Sequence, residues 1–374
     1  MSRNPRVLLV GPLPIDGDVV GGTKVSFEGM ARSLESEPTL DVTVHDISRA
    51  RAGKGAARRL ADEGRTLAGL LGRLVASGSF DAVVFNTSSG GLLKSGPLVH
   101  AACRARRVPL IVRVFGGDLD LFVDRAPTAL AGLAQRTVLR ADRVLLQTHA
   151  LCERFRCVDD CCRVRWWPTT RDVGSPRGAR SRSARRFLFL GQLRAEKGIA
   201  EAVAASRRLP EGASLTIVGP AMPGFDVESL DLDPRCTYRG AVPHDEVPGV
   251  LAEHDVLVFP TYHAGEGMPG IVIEAMQSGL AVVASRWRAV PELVEDEVNG
   301  LLVPPRSADG LGAAMRRIAT NDVLFQRLRE GARQTGERFR AHHWEPKLVR
   351  MVHEVTGEAS RAESSRARET SVRS

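Results

Sequence analysis

Gly265-Glu266-Gly267-Met268-Pro269-Gly270-Ile271-Val272-Ile273-Glu274-Ala275-Met276-Gln277-Ser278-Gly279 follows closely on the apolar run Val256-Leu257-Val258-Phe259. The short run has strand length and strand composition. The longer stretch has Pro269 at a first helical position and Gly279 just past the end, which predicts a helix of about ten residues. A strand feeding a helix through a glycine-rich loop is the repeating step of a parallel α/β sheet. In open parallel sheets ligands bind beyond the carboxyl ends of the strands, where this loop lies.

The same step recurs on both sides of it. Strands at 187–190, 215–218, 236–239, 281–284 and 301–303, with a helix over 199–208, read as one doubly wound sheet. Upstream, strands at 7–10, 42–44, 82–85, 110–114 and 144–146 alternate with helical patterns over 24–34 and 60–75. Two α/β domains in tandem, facing across a cleft, are therefore expected: residues 1–171 and 187–340. The Gly/Ser/Pro/Arg stretch 172–186 reads as a linker. Helices are expected over 308–320, 322–338 and 344–355, with residues 341–356 packing back on the first domain. The Ser/Arg/Glu-rich tail 357–374 has no periodicity and reads as disordered.

The 374 residues carry a formal charge of +8, and only Lys24, Lys54, Lys94, Lys197 and Lys347 are lysines among 52 basic residues. Such an Arg excess reads as coding bias rather than as a ligand signal. A nucleic-acid partner is not expected, because aromatics make up 5% of the chain and no stacking pattern accompanies the charge. No apolar run approaches the length of a membrane span, and a soluble, cytoplasmic protein is expected. Cys152, Cys157, Cys161 and Cys162 cluster without the paired spacing of a metal site and read as buried or incidental thiols. The basic stretch 49–73 reads either as a membrane-surface helix or as an ordinary helix packed on a sheet.

The loop and helix quoted above carry specific chemistry. A helix N-terminus offers unpaired N–H groups and the positive end of its dipole, which suits a diphosphate. Gly267 and Gly270 allow close approach of backbone to a ligand. Glu274 lies ~7 Å beyond Pro269 along the helix axis, about the reach from a pyrophosphate to the ribose it carries. Glu266, at the helix mouth, would meet whatever is attached to the outer phosphate. A second segment, Phe189-Leu190-Gly191-Gln192-Leu193-Arg194-Ala195-Glu196-Lys197-Gly198, places Lys197 just before a helix, where a cation can neutralise a leaving diphosphate. A third, Gly11-Pro12-Leu13-Pro14 followed by Gly21-Gly22-Thr23, is a glycine-rich turn without the GxGxxG spacing of a nicotinamide site. Gly116-Gly117-Asp118 occupies a similar strand-to-helix loop.

These segments together resemble the retaining glycosyltransferases of family 4, and the wording GEGMPGIVIEAMQSGLAVVAS is particularly similar to bacterial enzymes that build cell-surface polysaccharides. The resemblance implies the GT-B fold, a nucleotide-sugar donor, and a glycan or lipid-linked acceptor. It implies that Glu274 binds the donor ribose and that Glu266 contacts the donor sugar. The backbone of Gly267, Met268, Pro269 and Gly270 would hold sugar and phosphate, and Gly21 and Gly22 would lie near the donor phosphates. Val242 would sit near the base pocket, and Asp118 is a candidate for contact with donor sugar or acceptor. The family pattern has Arg where this chain has Gln192, so Arg194 is the candidate for the missing charge.

The resemblance further implies a front-face displacement in which the leaving phosphate takes the acceptor's proton, with no side-chain nucleophile. Glu266, Lys197 and Asp118 are thus the candidates at the reacting centre. The two DxD strings, at 118–120 and 231–233, read as incidental, and neither a metal nor a cofactor is expected. Peripheral contact with the cytoplasmic membrane face follows from a lipid-linked acceptor. Two rival readings stand beside this one: a nucleotide-sugar epimerase of similar fold, and a non-catalytic nucleotide-sugar-binding partner subunit.

Overall fold

The computed structural model describes residues 3–14, 22–48, 56–76, 80–156, 163–174 and 181–372. The chain divides into two compact units, 1–168 with 342–374, and 169–341.

In the first unit β1 (Arg6–Gly11), α1 (Gly22–Glu35), β2 (Asp41–Asp46), α2 (Ala56–Ala76), β3 (Ala82–Ser88) and α3 (Ser89–Arg106) come first. They are followed by β4 (Leu110–Phe115), α4 (Leu119–Arg125), α5 (Thr128–Arg136), β5 (Arg143–Leu146), α6 (His149–Phe155) and β6 (Val164–Trp166). The strands form one parallel sheet in the order β2-β1-β3-β4-β5-β6. β1, β3 and β4 are buried along almost their whole length, so their sequences are near-continuous apolar runs, as expected of strands covered on both faces. β6 escapes sequence reading because three residues, one of them Arg165, carry no measurable period. The Leu70 and Leu74 face of α2 is buried in this unit's core, with Leu67 packed beside it.

The second unit holds β7 (Arg186–Leu190), α7 (Ile199–Ser206), β8 (Ser214–Val218), β9 (Cys236–Tyr238), α8 (Val247–Ala252) and β10 (Val256–Phe259). It continues with α9 (Gly270–Gln277), β11 (Ala281–Ser285), α10 (Val290–Leu293), β12 (Gly300–Val303), α11 (Ala308–Ala319) and α12 (Asp322–Glu337). Its strands form a second parallel sheet, β12-β11-β10-β7-β8-β9. The strand order reverses between β7 and β10, so the loops after these two strands flank the switch point of the sheet.

The boundary differs from the expected linker over 172–186. Thr169, Arg171 and Val173 are buried parts of the second unit, held by polar bonds that a loop-like composition does not disclose. The last helix, α13 (Ala341–Val372), contributes Trp344, Leu348, Val352 and Val355 to a core shared with Val7, Leu9 and Phe27 of the first unit. Trp344 meets Trp166 and Trp167 edge-on, with centroids 5.2 and 5.5 Å apart. Helical backbone runs on through the expected disordered tail to Val372. Ala, Glu and Arg are good helix formers even where no apolar stripe is present.

Candidate functional site

The second unit's site is built by the two loops that flank its switch point. After β7 the chain makes a turn of 3-10 helix over Ala195–Lys197 and enters α7 through Gly198 at φ 75°. A Cβ at Gly198 would stand 2.2 Å from the Pro260 carbonyl oxygen, so only glycine lets this loop lie against the one after β10. The Tyr262 amide donates to the Glu196 carbonyl at 2.8 Å and fastens the same two loops together.

This juxtaposition brings Lys197 to Glu266. Lys197 Nζ lies 2.6 Å from Glu266 Oε2, and the buried Thr261 hydroxyl donates to the same oxygen at 2.8 Å. Glu266 is 8% exposed, so its carboxylate is largely withdrawn from water and needs both donors. His263 stands beside the pair. Burial above all, then the positive charge of Lys197, pushes its imidazole below the usual histidine range; Arg194 acts in the same direction, and Glu266 and Glu196 oppose it. At neutral pH this ring is therefore neutral. The His263 carbonyl accepts from the Glu266 amide at 3.0 Å and from Trp287 Nε1 at 2.8 Å, which fixes the loop that carries Glu266.

α9 begins at Gly270, with Pro269 as its N-cap, one residue later than expected, and it is eight residues long. Among the described residues, the amides of Gly267, Met268 and Gly270 make no hydrogen bond. A helix mouth with free amides, adjoining Lys197, has the donors and the field to hold an anion.

Glu274 lies one turn inside α9, 6% exposed. A carboxylate embedded among Ile273, Ala275 and Met276 requires a partner, and the partner is Arg171, with Nε 2.5 Å from Oε1. The guanidinium also covers Gly270, where a Cβ would stand 2.3 Å from Nη2. Thr169 Oγ1 donates to the Met268 carbonyl at 2.9 Å, and Gln277 Nε2 donates to the Arg171 carbonyl at 2.8 Å. The segment Thr169 to Val173 is thus tied along α9.

Glu266, Lys197 and Glu274 with residues 267–270 are brought to one sheet edge, and Arg194 lies close enough to act on His263. Gln192 is half-buried in the β7 loop, and among the described residues no polar contact joins it to this group. Val242 is half-buried in the loop after β9. That loop and the loops after β7 and β8 are laced at the sheet edge, the Gly219 amide donating to the Gly240 carbonyl at 2.8 Å and the Leu193 amide to the Pro220 carbonyl at 2.9 Å. Asp118 belongs to the first unit, where Ser89 Oγ donates to its Oδ1 at 2.7 Å. Gly22 opens α1, also in the first unit, and Gly21 lies outside the described residues. Of the DxD residues, Asp231 pairs with Arg207, and Asp233 caps its own turn through the Arg235 amide at 3.0 Å.

Three residues of the site are missed by sequence reading: Arg171, Thr261 and His263. Thr261 and His263 could have been found from their place just past the end of β10, the ligand-binding edge of such a sheet. Arg171 carries no local signal.

Comparison with known proteins agrees with this architecture. The fold is that of GT-B glycosyltransferases. Sucrose-phosphate synthase from Thermosynechococcus elongatus superposes with a TM-score of 0.73 at 18% identity, covering 95% of this chain and 100% of that one. Anabaena HepE, in complex with UDP and glucose, superposes with a TM-score of 0.65 at 17% identity over 97% of this chain and 100% of that one. Residues 184–321, within the second unit, match the family described as glycosyl transferases group 1. The amylovoran biosynthesis glycosyltransferase AmsK of Erwinia amylovora is 31% identical over 149 residues, 37% of each chain. The match thus spans well under half the length of that curated relative.

Proposed function

We propose that this protein is a glycosyltransferase that moves a sugar from a nucleotide-sugar donor, with retention at the anomeric carbon, to a glycan or lipid-linked acceptor in polysaccharide or glycoconjugate synthesis. The observation that carries the reading is the group at the mouth of α9: Lys197 and Glu266, 2.6 Å apart, beside the free amides of Gly267, Met268 and Gly270, with Glu274 one turn inside. The amides, Lys197 and Arg194 take up the charge that grows on the departing nucleoside diphosphate, so the step needs no metal. Glu266 accepts a hydroxyl of the donor sugar, and Glu274 accepts the ribose hydroxyls. The bond from the anomeric carbon to the phosphate oxygen breaks as the acceptor oxygen joins on the same face, and the acceptor's proton passes to the leaving phosphate. Work on a lipid-linked acceptor places the protein at the cytoplasmic face of the membrane as a peripheral protein. Among the described residues no helix is long and apolar enough to cross a membrane.

The test is calorimetry and turnover with Glu274→Ala. The reading requires nucleoside diphosphate binding to weaken at least ~10-fold, and transfer and donor hydrolysis to fall at least ~100-fold. Full activity in that variant refutes the site. Nuclear magnetic resonance of the first-formed product reports the anomeric configuration, and inversion would overturn retention. Gln192, an amide where the resemblance expects Arg, favours a second reading, a donor-binding subunit without turnover. Binding with no release of nucleoside diphosphate under any acceptor would select it.

A further inference from the structure

We infer that Arg171 is a positioning residue of the nucleotide site: it fixes the Glu274 carboxylate for the ribose hydroxyls, and the absence of a side chain at Gly270 is what admits it. The inference rests on the proposed function, since it gives Glu274 a ribose to bind.

Four observations lead to it. The Nε to Oε1 distance is 2.5 Å, and both side chains are withdrawn from solvent, at 6% and 8% exposure. A cation and a carboxylate so placed hold one mutual geometry, because either alone would be a buried, uncompensated charge. Both ends are anchored: the Arg171 amide donates to the Phe339 carbonyl at 3.0 Å, its carbonyl accepts from Gln277 Nε2 at 2.8 Å, and Gln277 stands three residues beyond Glu274 on α9. Last, a Cβ at position 270 would stand 2.3, 2.6 and 2.8 Å from Nη2, Cζ and Nε of the guanidinium. Residues 270 and 274 are one turn apart on the same helix face, so Gly270 provides the space through which Arg171 reaches Glu274.

The consequence concerns selectivity. A free Glu side chain has three rotatable bonds to order when a ligand arrives, whereas one held by a guanidinium has met that cost during folding. A fixed carboxylate demands both hydroxyls of a ribose and discriminates against a nucleotide that lacks one. The general attraction of Arg171 for a diphosphate acts equally on ribose and deoxyribose forms, so their affinity ratio isolates the positioning role.

The experiment measures calorimetric affinities of the full chain for ADP, GDP and UDP and for their 2′-deoxy counterparts, taking the pair that binds best. Arg171→Met is expected to weaken the ribose form ~10-fold and to bring the ratio close to one. Arg171→Met combined with Gly270→Ala refills the vacated space; the ratio should stay near one, whereas a return to the native ratio would reduce Arg171 to packing and overturn the inference. Arg171→Lys keeps one donor and the charge and should give an intermediate ratio, which serves if the Met variants do not fold. A native ratio in the Lys variant overturns the proposal in that case. Glu274→Ala separates the two levels. If it loses affinity and selectivity while Arg171→Met keeps both, only the role of Arg171 falls; if Glu274→Ala itself binds as the native protein does, the site reading falls with it.

Discussion

Gly198 shows how much the site depends on one backbone position. Its φ of 75° and the 2.2 Å that would separate a Cβ here from the Pro260 carbonyl oxygen leave no room for any other residue. Gly198→Ala should cost at least ~2 kcal/mol of stability, the sum of left-handed strain and displaced backbone, read as a lower urea midpoint. Because Lys197 is its neighbour, the same variant should bind nucleoside diphosphate more weakly; an unchanged midpoint would show that the two loops are not in contact. Glu266, Glu274 and Lys197 were readable in the sequence because each stands at a fixed offset from a strand end or a helix start. Arg171 was not, since its partner lies 103 residues away and its own neighbourhood has the composition of a loop. Only packing in space reveals that pair.

At the scale of elements, strands and helices were legible wherever burial made the pattern long. β10 and β11 are buried at every position, and β10 and the first four residues of β11 appear as unbroken apolar runs. β6 was not legible, because three residues give no period. The packing of α12 on α9 is a different kind of information. A Cβ at Gly336 would stand 2.7 Å from the Gln277 amide nitrogen and 2.9 Å from the Met276 carbonyl carbon, so the two helices touch through backbone. Gly336→Ala gains about 1 kcal/mol of helix propensity but overpacks this contact by about 1–3 kcal/mol, and a net loss of stability is expected. Gly29, exposed in α1 with nothing within 4 Å of its Cβ position, provides the contrast. Gly29→Ala should raise the midpoint by the equivalent of about 0.5–1 kcal/mol. If both substitutions stabilise, α12 does not rest on α9 as described.

Across the whole molecule, buried and half-buried histidines set a common response to acid. His45 and His100 in the first unit and His254 and His263 in the second all titrate below the usual histidine range, each chiefly because burial penalises the charged ring. A histidine with a lowered folded pKa binds fewer protons folded than unfolded, so its contribution is complete above the unfolded value near ~6.5 and is lost as pH falls through the folded value. The exposed Glu297 carboxyl is held below its usual range, first by the hydrogen bond from Arg317, and stays ionised in that window. Both units should therefore lose stability between pH 7 and 5. The four tryptophans allow the units to be followed separately: Trp166, Trp167 and Trp344 belong to the first, and Trp287 to the second. Urea unfolding of the Trp287→Phe variant reports the first unit alone, and the difference from the native protein reports the second. Both midpoints are expected to be lower at pH 5.5 than at pH 7.5, and His254→Gln should flatten the response of the second unit only, because its Nδ1 lies 2.6 Å from the Val250 carbonyl, inside that unit. Midpoints that hold or rise on acidification would mean that these rings are charged in the folded protein, which their burial opposes.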